Sequence, residues 1–220
     1  MRYSGEFRTL APDEVRLLAG AARDGQEAAL YVTAAFTGLR QGELLALRWQ
    51  DVDFALQRVH VRRNFTDGRE KAPKSGKVRS APMVDEVMRA LDGLSRRGHL
   101  AGAGDLVFCG AAGGHGDEWV IRRQFYAALE RAELPKIRFH DLRHCFATIA
   151  VQAFPLSDVQ GYLGHANVST TMRYVHHTPA AGDAARLGAV LAGDVSRDVS
   201  RTAPNPAELS EPEVTSEPVA

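Results

Sequence analysis

Apolar positions along the chain repeat with two different periods. From Pro12 onward, Val15, Leu18, Ala19 and Ala22 recur on one side of a 3.6-residue turn, and Pro12 suits the first turn of a helix. A second helix is expected from about Gln26 to Phe36, ending near Gly38, and a short third one from Gln41 to Arg48. The period then drops to two. DVDF, RVHVRR and KVRSAPM read as three short strands, broken at Ala55 to Gln57 and at the Thr66-Asp67-Gly68 turn with its polar continuation. Helical spacing returns over Val84 to Arg97 and Asp117 to Glu133, with a short strand expected between them at Leu106 to Phe108. The next helix carries HDLRH and runs to about Ala153. Leu142, Phe146 and Ile149 share one side of it, and His140, Arg143 and His144 share the other. Pro155 to Leu163 forms a further helix that Gly164 breaks, which leaves His165 at a helix end. Ser169 or Thr170 is expected to cap a short helix holding Tyr174, and Ala180 to Leu191 to form a final amphipathic one. The pattern is that of an α+β protein, mainly helical, with a small three-stranded sheet.

Composition narrows the class. A chain of 220 residues can bury one substantial core. No apolar run reaches the roughly 18 residues that span a membrane, and MRYSGEFRTL lacks the apolar core of a signal peptide. The two cysteines, Cys109 and Cys145, form no CxxC, which argues against a disulfide framework or thiolate zinc site and for a reducing cytoplasm.

Charge is balanced overall but unevenly spread. Of 27 acids and 27 bases, the stretch from Asp194 onward takes six acids and two arginines, leaving 25 basic and 21 acidic residues before it, a net of +4. Residues 194–220 have too little apolar content to fold and are expected to be a disordered acidic tail on a domain covering 1–193. From Arg58 to Ser80, eight bases face two acids, enough for a phosphate-contacting patch or for a hairpin edge protected by charge. Arg122 and Arg123 could also face a phosphate backbone.

One phenol, Tyr174, follows several cationic or proton-carrying side chains, a set suited to nucleophilic attack on a phosphate. Tyrosine titrates near 10 when unperturbed, so Tyr174 would need its proton removed. Planar guanidinium forks at Arg40 and Arg143 could neutralise the transition state. Each residue also has a plainer role open to it. Arg40 could pair with Glu43 three residues on, Tyr174 could be a packing residue, and Lys71 and Lys77 compete with Lys74 for any part played by a loop lysine. His140 and His144 stand at i and i+4, yet the carboxylate and third ligand of a zinc-binding helix are missing, so no metal site is expected.

The motifs TGLRQGEL (Thr37 to Leu44), KSGKVRSAPM (Lys74 to Met83), HDLRH, LGH (Leu163 to His165) and the Tyr174 segment occur together in this order. With them the chain resembles the tyrosine recombinases, also called phage integrases, over roughly its first 180 residues. The resemblance implies that family's catalytic-domain fold and a reaction on duplex DNA. It implies that Arg40 and Arg143 clamp the scissile phosphate while Tyr174 attacks it. Lys74 would protonate the departing 5′-oxygen, His140 would assist proton transfer at the tyrosine, and His165 would hydrogen-bond the phosphate. Glu43 would support the site, and His144 is left outside the catalytic set. The product would be a 3′-phosphotyrosine that a 5′-hydroxyl reseals, with no metal, ATP or other cofactor. The resemblance further implies a homotetramer on two DNA sites, with accessory proteins possible. The helical DNA-binding domain that precedes the catalytic one in this family is expected to be absent here. That leaves two other readings: a non-catalytic DNA-binding remnant, or a metal-dependent hydrolase whose activity EDTA would abolish.

Overall fold

The computed structural model describes residues 8–72 and 78–175. Lys74, the helix expected over Ala180 to Leu191 and the acidic tail lie outside them.

Helix α1 (Pro12–Gly20) begins on Pro12, and the Glu14 carboxylate accepts the Ala11 N–H at 2.7 Å. It turns Val15 and Leu18 inward. Helix α2 (Gly25–Thr37) is capped by Asp24, which accepts the Glu27 N–H at 2.8 Å, and it is buried from Ala29 to its end. A helix apolar on every side must be surrounded, and α2 packs against α1, against α4 (Asp85–Ser95) and against α6 (Asp141–Ala153). Tyr31 on α2 meets Phe125 of α5 (Glu118–Arg131) edge-on, with ring centres 5.4 Å apart. The main core is assembled around these elements.

Gly38 ends α2 with φ 67°, a left-handed conformation that a Cβ would strain. A Cβ there would also come within 2.5 Å of the Phe146 ring. This tight turn leads straight into α3 (Gln41–Leu45), shorter than the expected run to Arg48. Strands β1 (Val52–Asp53), β2 (Arg58–Val61) and β5 (Arg79–Pro82) then form the expected antiparallel sheet, in the order β1-β2-β5. Val59 pairs with Ala81 and Val61 with Arg79. Directly opposed residues share a face, so Arg79 lies on the same inward face as the buried Val61 and Ala81.

Some expectations need correction. The polar stretch after Thr66 is not irregular: β3 (Asn64–Thr66) and β4 (Arg69–Lys71) pair as a hairpin. Its turn residues Asp67 and Gly68 both have positive φ, the geometry that matches strand twist. Leu106 to Phe108 is not a strand. It is buried, but it meets the Arg48–Trp49 segment through a single bridge at Leu106, with the Val107 N–H donating to the Leu47 carbonyl. On α6, Ile149 is 37% exposed, while Arg143 and His144 on the polar side are buried and His140 is exposed.

Downstream, α7 (Leu156–Leu163) ends at Gly164 in the left-handed region, as its sequence suggests. Helix α8 (Val168–Met172) is capped by Asn167 rather than by Ser169 or Thr170, and Tyr174 lies just beyond its end. A smaller second core gathers here from Phe146, Ala147, Ala150, Val159, Leu163 and Tyr174.

Candidate active site

The last carbonyls of a helix have no partner within it, and they carry the negative end of its dipole. At the end of α7 three consecutive carbonyls are each taken by a different arginine. Arg79 Nε donates to the Tyr162 carbonyl at 2.8 Å, Arg143 Nη2 donates to that of Leu163, and Arg40 Nη2 donates to that of Gly164 at 3.2 Å. Side chains from β5, α6 and the start of α3 therefore converge on one helix terminus. Arg143 makes a second long-range bond, from Nη1 to the Gly38 carbonyl at 2.6 Å, so the tight turn after α2 also aims it.

Among the described residues, a single carboxylate sits with these cations. Glu43 is 3% exposed and accepts two bonds from Arg79, at 3.0 and 2.7 Å. It also accepts from Arg40, at 2.9 Å from Nη1 and 2.7 Å from the backbone N–H. Burial alone would raise its pKa, but Arg79 and then Arg40 outweigh burial and hold it below the ordinary carboxylate value. Arg143, 3% exposed, shows the opposite imbalance. Burial first, and then the positive charge of Arg40, lower it to about 9, so it is still charged at neutral pH. Three guanidiniums around one carboxylate leave excess positive charge, an arrangement that favours a bound anion.

The proton-carrying groups surround this cluster. His165, just past Gly164, has Nδ1 2.9 Å from the Thr171 hydroxyl. Burial and then Arg143 depress its pKa to about 4. His140, at the N-terminus of α6, stays exposed and titrates below its usual value through partial desolvation and the charge of Arg143. Tyr174 is 8% exposed, and its hydroxyl is hydrogen-bonded to His144 Nδ1.

Arg40, Arg143, His165 and Tyr174 thus gather at one place, with His140 beside Arg143; Lys74 lies outside the described residues. Sequence reasoning missed Arg79 and left His144 without a role. The signal for Arg79 was present: Arg79, Ala81 and Met83 alternate along β5 and its exit, and the last two are buried. A cavity of about 640 Å³ lined by Arg23, Tyr31, Arg97 and Cys109 shares no residue with this cluster.

Residues 8–181 match the phage integrase family. The chain belongs to that family. A tyrosine recombinase XerC-like protein of Caldanaerobacter subterraneus subsp. tengcongensis is 30% identical over 201 residues, covering 79% of this chain and 51% of the relative. Tyrosine recombinase XerC of Bifidobacterium longum subsp. infantis is 31% identical over 152 residues, covering 64% of this chain and 40% of the relative. The chain therefore spans about half the length, or less, of these curated relatives. Among solved structures, the XerA recombinase superposes with a TM-score of 0.65 at 30% identity, over 87% of this chain and 66% of that one. The catalytic domain of bacteriophage HP1 integrase shares the fold with a TM-score of 0.60 at 23% identity, over 87% of this chain and all of that one. The integrase match thus covers every described element, and the sheet and helices form a tyrosine-recombinase catalytic domain.

Proposed function

We propose that this integrase-family chain cleaves and rejoins duplex DNA, with Tyr174 as nucleophile and a 3′-phosphotyrosine as intermediate. The observation that carries this reading is the convergence of Arg40, Arg79 and Arg143 on the α7 terminus, with Glu43, among the described residues, the one carboxylate bonded to Arg40 and Arg79. A scissile phosphate would supply the missing negative charge. In the pentacoordinate transition state it gains more, and guanidiniums fixed in advance stabilise that gain without reorganising. Arg40 and Arg143 are the residues we assign to the phosphate. Arg79 is almost fully engaged with Glu43 and α7, and we assign it to holding the site together. His165 would hydrogen-bond the phosphate, His140 would assist proton transfer at the tyrosine, and Lys74 would protonate the leaving 5′-oxygen. The aryl phosphate keeps the energy of the broken diester, so resealing by a 5′-hydroxyl requires no ATP, and the arginines supply the charge neutralisation a metal would otherwise give.

The family resemblance supports duplex DNA as the partner, and a solved relative of similar fold, the Tn1549 transposon integrase, was captured in complex with circular intermediate DNA. Within this reading the chain acts in the cytoplasm as a homotetramer on two DNA sites, with accessory proteins able to join.

A nicked duplex whose short 5′ fragment diffuses away after cleavage tests the reading. The chain should trap a covalent protein–DNA adduct that survives denaturation, in EDTA as well as without it, and Tyr174→Phe should abolish it while retaining DNA binding. DNA binding with no adduct, or an undiminished adduct from the phenylalanine variant, would overturn the assignment.

A further inference from the structure

The His144 contact reaches beyond the roles just assigned, and it rests on the reading of Tyr174 as nucleophile. We propose that His144 is a catalytic residue, the base that takes the Tyr174 proton, with Asp141 as its positioning residue. Three observations carry this.

First, the contact is made at the reacting atom. Nδ1 of His144 is hydrogen-bonded to the Tyr174 hydroxyl, with the two rings 5.6 Å apart and tilted by 40°. In this role the phenol donates, Nδ1 accepts and the ring proton sits on Nε2.

Second, the other side of the imidazole faces a carboxylate. Nε2 lies 3.8 Å from Asp141 Oδ1, longer than a hydrogen bond but close enough to favour the Nε2–H tautomer and the imidazolium that follows. Asp141 is itself held from outside: the Arg138 N–H donates to Oδ2 at 2.8 Å and Arg138 Nη2 to Oδ1 at 2.8 Å. Carboxylate and imidazole stand one turn apart on α6 and the hydroxyl nucleophile follows them in series, the order of roles that activates a serine in hydrolases.

Third, both reacting partners are buried and anchored. The Tyr174 backbone N–H donates to the Thr171 carbonyl at 3.1 Å, and the tyrosine ring packs in the smaller core. His140 is placed differently. It is exposed and stands edge-on to His144 with ring centres 5.3 Å apart.

In the step itself Oη bonds to phosphorus, the Oη–H bond breaks and its proton passes to His144 Nδ1. The P–O5′ bond breaks with its electron pair on the 5′-oxygen, which takes a proton from the general acid. Resealing runs the same transfers backward, so no other reactant is consumed. Burial and the neighbouring His140 lower His144 to about 4, which keeps it in the accepting form at neutral pH. The negative charge that builds on phosphorus, together with Asp141, raises its basicity as the proton arrives.

The test measures the rate of adduct formation on the nicked duplex for the unsubstituted chain and for His144→Asn. Asparagine sets an acceptor close to the Nδ1 position but cannot hold the proton. Both proteins are also prepared with 3,5-difluorotyrosine at position 174, whose phenol is more acidic. We expect His144→Asn to slow the reaction on the order of 100-fold and the fluorinated nucleophile to recover at least about tenfold of that loss. A rate within about threefold of the unsubstituted chain, or a loss that fluorination leaves untouched, would overturn the role as base; the latter would assign His144 to packing. Should His144→Asn fail to fold by circular dichroism, His144→Gln is judged by the same two criteria. An unsubstituted chain that forms no adduct would instead overturn the nucleophile reading beneath this one.

Discussion

The side of this site that we propose faces the phosphate and the side that we propose carries the nucleophile are built by different means. Arg40, Arg79 and Arg143 are fixed by multiple bonds to Glu43 and to the carbonyls of residues 38, 162, 163 and 164. Those bonds tie α3, β5, α6 and α7 together and lean on the larger core. Tyr174 instead sits past the end of a five-residue helix, in a cluster of six buried side chains, with Val168, Met172 and Val175 exposed around it. The contrast teaches a division of labour. Charge that must not reorganise during reaction is locked in place, while the group that changes partners packs, among the described residues, in the smaller core.

The largest expected effect strikes the locked side. Glu43→Gln keeps the shape but strips the carboxylate from Arg79 and Arg40, leaving buried positive charge uncompensated. Denaturant unfolding should show a loss of about 4 kcal/mol. A loss below about 1 kcal/mol would mean that the α7 carbonyls alone suffice to hold the arginines.

Acid should act next, and mainly on the nucleophile side. His144 and His165 have an ordinary value of 6.5 and titrate near about 4 in the fold. Between those values the unfolded chain binds more protons than the folded one, so stability falls as pH drops through that window. We expect on the order of 3 kcal/mol, after discounting the partly buried His165 for solvent screening. Amide exchange at residues 159–174 should quicken before that of α2. Uniform loosening would erase the contrast.

The smallest of the three is a difference, about 2 kcal/mol, between two leucines that are both fully buried, one in each core. Leu142→Ala, in the large core, should cost about 4 kcal/mol; Leu163→Ala, where the surroundings can relax, about 2 kcal/mol. Equal costs would show the two cores to be equally firm.

How much of this was legible in the sequence depends on the range of the interactions involved. Pro12, Gly38 and Gly164 mark helix boundaries through their own backbone preferences, and each boundary falls where those preferences put it. The alternation in RVHV and RSAP likewise carries the sheet. The β3–β4 hairpin escaped because three-residue strands without a buried face leave no alternation to read. Leu106 to Phe108 misled in the other direction, since an apolar run signals burial and burial does not require a strand. The alternation along β5 turns Arg79 inward, but neither it nor any local period names the partners of Arg79 and His144, 83 and 30 residues away. The family motifs located Arg40, Arg143, His165 and Tyr174, but not the α7 carbonyls that gather the arginines.

The central claim is that the phosphate held by this arginine cluster becomes bonded to Tyr174. Digesting the trapped adduct and mapping it by peptide mass spectrometry tests that directly. We predict a nucleotide attached through its 3′-phosphate to the peptide containing Tyr174, at the Oη position. Attachment to any other residue, or through a 5′-phosphate, would contradict the account.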